Sequence, residues 1–101
     1  FAKEDDDGLV TEVAEKNPIS DNATVGYYYW KRGSDFVQFA EKMIEKDIRV
    51  NDEFYVCPVF NEAVLNNKSI RTYEASGMWG LGTPEDLNYY INHYEGKQNE
   101  K

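Results

Sequence analysis

The sequence predicts an α/β protein in which short strands form a small mixed sheet that is covered by three helices. Two observations predict this class. Apolar residues recur at helical spacing in three segments, and short segments rich in β-branched and aromatic residues precede and separate those segments. Interleaved strands and helices pack in α/β layers rather than as a β-sandwich or a helical bundle. The predicted element order is β-β-β-α-α-β-α.

Four segments are predicted to be strands. Phe1–Lys3 and Leu9–Glu15 form a hairpin around an acidic turn that Gly8 closes, because glycine readily adopts the positive φ of such turns. Ala23–Trp30 follows a proline-containing break, and its aromatic residues without clean alternation predict a strand that is buried on both faces. Ser69–Glu74 is predicted to be a short fourth strand.

Two helices are predicted between the third and fourth strands. The first spans Ser34–Lys46, where the Ser34 hydroxyl can accept a hydrogen bond from a backbone amide. The second begins at Glu53 or Pro58 and ends at Asn67, since proline is tolerated in the first helical turn. Their apolar stripes, which should face the core, are Phe36, Phe39, Ala40, Met43 and Ile44, and Val56, Val59, Phe60, Ala63 and Val64.

The third helix carries the clearest start signal in the chain. Thr83 should cap it, Pro84 takes the first helical position, and the helix should run to Tyr94 before Gly96 ends it. Its apolar stripe should pack on the sheet and consists of Leu87, Tyr90, Ile91 and Tyr94. We expect one domain over residues 1–96 and a disordered tail over 97–101.

The composition indicates which kinds of binding partner and which cellular compartment to expect. The 101 residues carry a net charge of −8, which repels phosphate backbones, so we expect no nucleic-acid partner. No apolar run has the length of a membrane span, and we expect no membrane partner. Cys57 is the single cysteine, which excludes an internal disulfide and fits a reducing compartment. No leader pattern is visible, so we expect a cytoplasmic protein.

The residue types of the chain do not favour a metal site or a catalytic nucleophile. With His93 and Cys57 as the only residues of their kinds, the chain can build neither a His/Cys metal site nor a histidine-based triad. The acidic run Asp5–Asp7 lacks the ligand spacing of a calcium loop and fits a solvated turn. We therefore assign no catalytic and no metal-ligating residue.

Two segments are candidate ligand sites. Glu15 and Lys16 stand side by side where a strand ends, a place where α/β sheets bind ligands; the alternative is an exposed ion pair. A carboxylate can accept hydrogen bonds from sugar hydroxyls, and an ammonium can bind phosphate. The loop Gly77–Gly82 places glycines around Trp79, which can offer a flat face to a ligand or simply lead into the helix.

Four elements together resemble one family in order and approximate spacing. They are Glu15-Lys16-Asn17-Pro18, Gly26-Tyr27-Tyr28-Tyr29, Asn51-Asp52-Glu53-Phe54-Tyr55-Val56 with Asn61, and Trp79-Gly80-Leu81-Gly82-Thr83-Pro84-Glu85-Asp86-Leu87. The set resembles the second half of the catalytic domain of the sugar-1-phosphate nucleotidyltransferases, also called nucleotide-sugar pyrophosphorylases. The resemblance implies part of a Rossmann-like sandwich, a fragment without the nucleotide-binding half, and a role in nucleotide-sugar and polysaccharide biosynthesis.

The resemblance also implies a reaction and a set of substrate-binding residues. A sugar-1-phosphate would react with a nucleoside triphosphate to give a nucleotide sugar and pyrophosphate, with Mg²⁺ held mainly by the missing half. Glu15 would bind sugar hydroxyls and Lys16 would lie beside the phosphate. Gly26 and Tyr27 would line the sugar pocket, and Glu53 would reach the sugar from the opposite side.

Trp79 would help to close the site, but its neighbour departs from the family pattern. The family often places a metal-binding Asp two residues before the position of Gly82, where this chain has Gly80. Two functions stay open: the enzyme half, inactive alone, and a non-catalytic sugar-phosphate-binding or interaction domain that has lost a metal ligand. For either, we expect an exposed apolar face that contacts the missing half or a second copy.

Overall fold

The computed structural model describes residues 1–94 as a small mixed α/β fold, which confirms the predicted class at that level. The observed element order is β-β-α-α-α. The predicted helix end at Gly96 and the predicted disordered tail at 97–101 lie outside the described residues. The elements are strands β1 (Ala2–Glu4) and β2 (Val10–Val13) and helices α1 (Gly33–Glu45), α2 (Val59–Leu65) and α3 (Pro84–His93).

The hairpin forms where the sequence predicts it. β1 and β2 are antiparallel, and beyond the strands Phe1 and Ala14 exchange two hydrogen bonds of 2.9 Å. In the turn, the Asp5 carboxylate accepts hydrogen bonds of 2.9 Å from the amides of Asp7 and Leu9. Gly8 adopts φ +80°, the left-handed conformation that favours glycine. The acidic run is therefore a hairpin turn.

The predicted strands at 23–30 and 69–74 are not formed, so the described sheet has two antiparallel strands and is not mixed. Residues 23–30 keep an in-and-out alternation: Tyr27 and Tyr29 are exposed, whereas Tyr28 and Trp30 pack on the core. Near Arg71 there is only an isolated bridge to Leu9 within residues 1–94. A strand needs a continuous backbone partner, and side-chain propensity alone does not supply one.

Two buried clusters form the core and share Trp30. The first joins the hairpin to α2 through Cys57 and Phe60, and the second lies between α1 and α2 around Phe39 and Val59. The Trp30 ring stacks on Phe60 with centroids 4.4 Å apart and packs against both clusters. Most of the two predicted stripes therefore face the core, but Ile44 and Val56 are 52% and 45% exposed, so the prediction is wrong for these two residues.

Glu62 is a charged residue inside this core. It is 2% exposed and receives the ammonium of Lys46 at 2.6 Å, which links α2 to the end of α1. A buried carboxylate is expensive unless it is paired, so this contact offsets part of the cost of burial.

The third helix starts as predicted but packs differently. The Thr83 hydroxyl accepts a 3.1 Å hydrogen bond from the Asp86 amide, and Pro84 occupies the first turn. However, no residue of α3 is buried, and α3 contacts none of the other helices and strands in residues 1–94. The prediction that its stripe packs on the sheet is therefore wrong. Leu87 of this stripe is 44% exposed.

Burial of Cys57 predicts a pH dependence of reactivity and stability. Burial raises the pKa of the Cys57 thiol and also that of the neighbouring Tyr28 hydroxyl. The unfolded thiol loses its proton near about pH 8.5, whereas the folded thiol keeps its proton to a higher pH. The free energy of unfolding should therefore fall as pH rises beyond about 8.5. At neutral pH the native thiol should react with a disulfide reagent far more slowly than the thiol of the urea-unfolded chain.

The control is Cys57→Ala, which should flatten part of the stability loss between about pH 8.5 and 10. Native and unfolded Cys57 reacting at equal rates would contradict the assignment of this thiol to the core.

Candidate functional site

A pocket of about 330 Å³ lies at the carboxyl end of β2. Three parts of the chain line it: Glu15 and Asn17 after β2, Ile48–Val50 after α1, and Pro58 and Asn61 at the start of α2. The hairpin, the loop after α1 and the start of α2 thus contribute to its walls. Apolar and polar groups both line the pocket, which is a shallow depression open to solvent.

Asn61 fixes the end of β2 beside this pocket. Its Oδ1 accepts a 2.7 Å hydrogen bond from the Val13 amide, and its Nδ2 donates a 2.8 Å hydrogen bond to the Val13 carbonyl. A carboxamide has the same donor and acceptor as a peptide group, so Asn61 takes the place of a neighbouring strand. The position of Glu15, two residues after Val13, depends on this contact.

Lys16 is exposed, and its ammonium contacts Tyr55 instead of the pocket where the phosphate was predicted to bind. Its Nζ donates a 2.8 Å hydrogen bond to the Tyr55 hydroxyl and lies 4.9 Å from the centre of the Tyr55 ring. This hydrogen bond is the main cause of a raised Lys16 pKa, with smaller contributions from the charges of Glu53 and Glu15. None of the ion pairs within residues 1–94 joins Lys16 to Glu15, and Lys16 does not line the pocket.

Arg49 lines the pocket and was not predicted from the sequence. Its Nε donates a 2.6 Å hydrogen bond to the Asp47 carboxylate, and Nη1 donates a 3.2 Å hydrogen bond to the Asp52 carbonyl. The guanidinium carbon lies 4.1 Å from the centre of the Phe54 ring, within cation–π distance. In the sequence Arg49 is one arginine between Ile48 and Val50, and no motif marks it.

Glu53 lies near the Lys16–Tyr55 pair but outside the pocket lining. It pairs with Val50 in a tight bridge, with hydrogen bonds of 2.8 and 3.0 Å between the two backbones. Its carboxylate is exposed and acts on Lys16 through its charge. The predicted approach of Glu53 to the sugar from the opposite side therefore has no contact that supports it.

Gly26, Tyr27 and Trp79 are not brought to this pocket. Gly26 adopts φ +87° in a loop, and the Tyr27 side chain is 93% exposed. Trp79 packs edge-on against Tyr90 of α3 and against Tyr94 directly after it, with ring centroids 5.2 and 5.9 Å away. The structure thus brings only Glu15 of the six predicted residues into the lining.

The described residues contain no cluster of metal ligands. In residues 1–94 no three Asp, Glu, His or Cys side chains are grouped so that they could hold a metal ion. Gly80 has no side chain to contribute, and a Cβ built there would lie 3.5 Å from a carboxylate oxygen of Asp86. We therefore derive no chemical step through a metal ion.

Comparisons with known proteins give no relative for this chain. No family model, no curated protein and no solved structure matches it. None of the helices within residues 1–94 is long and apolar enough to cross a membrane.

Proposed function

We propose that this chain binds a sugar phosphate in the pocket beside Glu15, as the sugar-phosphate-binding half of a sugar-1-phosphate nucleotidyltransferase. The position of Glu15 in the pocket lining at the end of β2 is the observation that supports this most. A carboxylate there can accept hydrogen bonds from two adjacent hydroxyls. Ile48, Val50 and Pro58 supply apolar wall that suits the C–H faces of a sugar ring.

The exposed aromatic residues fit a role as part of a larger domain. In the proposed whole enzyme, residues 23–30 and 69–74 join a Rossmann-like sandwich with the nucleotide-binding half. Tyr27 and Tyr73, which are 93% and 97% exposed in this chain, then gain partners. We propose the cytoplasm as its location, because that compartment suits a reaction that consumes nucleoside triphosphate.

In the proposed reaction, an oxygen of the sugar-1-phosphate attacks the α-phosphorus of a nucleoside triphosphate while the bond to pyrophosphate breaks. The contribution of this chain is to hold the sugar phosphate in place, which lowers the entropic part of the barrier. Since the described residues form no magnesium site, we assign Mg²⁺ and the nucleotide to the other half.

Glu15→Gln tests the binding role directly. The substitution keeps the shape of the side chain but removes the charge that strengthens hydrogen bonds from hydroxyls, so affinity for α-glucose-1-phosphate should fall by about 1–3 kcal/mol. Isothermal titration calorimetry measures this change. Glu12→Gln is the matched control, because Glu12 is exposed on β2 away from the pocket and should leave affinity unchanged. Equal affinities for the Glu15→Gln and parent proteins would exclude the proposed site.

The second candidate function is a non-catalytic sugar-phosphate-binding domain, favoured by Gly80 at a position where the family carries an acidic metal ligand. A pyrophosphate-release assay of the chain together with a nucleotide-binding half, over a panel of nucleotides and sugar phosphates, separates the two. Turnover that Gly80→Asp raises supports the enzyme. Sugar-phosphate binding without turnover for any pair supports the non-catalytic domain.

A further inference from the structure

We propose that Arg49, rather than Lys16, binds the anionic group of the ligand in the Glu15 pocket. This inference rests on the proposed function, since it takes a phosphorylated sugar as the occupant. It assigns the phosphate to a residue that neither the sequence motifs nor the resemblance singles out. The assignment follows from what each cation already contacts and from which of them faces the pocket.

Lys16 is poorly placed to bind a phosphate in this pocket. Its ammonium donates to the Tyr55 hydroxyl at 2.8 Å and lies over the Tyr55 ring, so these contacts hold it at Tyr55. The residue also lies outside the pocket lining. Lys16 therefore holds Tyr55 in position and does not face the ligand.

Arg49 lines the pocket, and its guanidinium is already oriented by its own contacts. The Asp47 carboxylate, the Asp52 carbonyl and the Phe54 ring each contact it. The two hydrogen bonds use two of its five N–H donors, and the contacts seen within residues 1–94 leave the other three for a ligand. A planar fork that is held before binding loses little freedom on contact with a phosphate, and its geometry matches two phosphate oxygens.

Glu15 and Arg49 give the pocket two chemically different walls. Glu15 comes from the end of β2 and can only accept hydrogen bonds when ionised, whereas Arg49 comes from the loop after α1 and can only donate them. A ligand that satisfies both walls carries hydroxyl groups and an anionic group on one small frame. A neutral sugar lacks the anionic group, and inorganic phosphate lacks the sugar hydroxyls.

Titration of the full chain with α-glucose-1-phosphate and with glucose tests the assignment. The ratio of the two affinities measures the contribution of the phosphate. Arg49→Gln should lower this ratio by about tenfold or more, the scale of a hydrogen bond to a charged group. Arg49→Lys keeps the charge but loses the planar pair of donors, so its affinity ratio should lie between those of the parent protein and Arg49→Gln. Lys16→Ala should leave the ratio within about twofold of the parent value.

A second measurement on the unsubstituted protein does not depend on the folding of any variant. Phenylglyoxal modifies arginine side chains, and mass spectrometry reads the rate at each position. α-Glucose-1-phosphate should slow modification of Arg49, whereas glucose should slow it far less. Arg32, which is exposed before α1 and away from the pocket, is the internal control and should react at the same rate throughout.

The outcomes separate the two proposals. If the parent protein binds α-glucose-1-phosphate and Glu15→Gln weakens it, the proposed function stands. If Lys16→Ala then lowers the affinity ratio while Arg49→Gln does not, the Arg49 assignment is overturned. It is also overturned if Arg49→Gln weakens the binding of both ligands equally and lowers thermal stability, since Arg49 then only stabilises its loop. Absence of sugar-phosphate binding by the parent protein overturns both proposals.

Discussion

Phe39→Ala should remove about 3–5 kcal/mol from the free energy of unfolding. Phe39 is 1% exposed and lies in the cluster that joins α1 to α2, with Met43, Val59 and Ala63 as buried neighbours. Its ring also lies 6.2 Å from that of Trp30, so its removal leaves a cavity where the two clusters meet. Since domains of this size are stable by only about 5–15 kcal/mol, urea denaturation should show a large drop in midpoint.

Val37→Ala is the matched control on the same helix. Val37 is 53% exposed, so its replacement should change stability by no more than about 0.5 kcal/mol. Similar midpoints for the two variants would show that α1 does not pack through Phe39 as described.

Asn61→Leu should cost roughly 2–4 kcal/mol, because it leaves both the amide and the carbonyl of Val13 without a partner beside a buried side chain. The substitution keeps a similar volume, so the loss measures the two hydrogen bonds rather than a cavity. Affinity for α-glucose-1-phosphate should fall as well, because Glu15 follows the strand end that Asn61 holds. Amide hydrogen exchange at Val13 should become faster than in the parent protein.

Asn92→Leu controls for the change of residue type. Asn92 is exposed on α3, and its replacement should leave stability within about 0.5 kcal/mol. An unchanged exchange rate at Val13 in the Asn61→Leu protein would contradict the role of the carboxamide as a strand partner.

The hairpin and most of each helix could be predicted because local rules determine them, but the Ser34 cap was wrong, since α1 begins at Gly33 without a side-chain cap. The acidic turn closed by Gly8, the Thr83 cap and the spacing of Phe39 and Met43 each act within a few residues. α2 is shorter than the longest prediction because Pro58 sits at its start as the cap residue, so the Glu53 start is wrong.

The two predicted strands that do not form show what local sequence rules cannot predict. Residues 23–30 have the β-branched and aromatic content of a strand, and Tyr28 and Trp30 do point inward. Strand propensity, however, reflects packing against neighbouring strands, and the described residues offer none there. The same holds for α3, whose apolar stripe was correct in spacing but has no sheet against it.

The candidate site was predictable only in part. Glu15 stood out because an acid at a strand end before a proline is a common position for ligand binding. Arg49 could not be found in the same way, because its position depends on contacts with Asp47, Asp52 and Phe54 in a tight loop. Asp47 and Asp52 adopt positive φ values of 54° and 64°, a conformation that aspartate adopts more readily than most residues.

Trp30 and Trp79 should report different unfolding events. Trp30 packs with the hairpin, α1 and α2, whereas the ring contacts of Trp79 are with α3 and Tyr94. Because a helix of ten residues is marginal alone, we expect the Trp79 region to unfold at a lower temperature than the Trp30 core. A ligand in the Glu15 pocket should then raise the melting temperature reported by Trp30 and leave that reported by Trp79 unchanged.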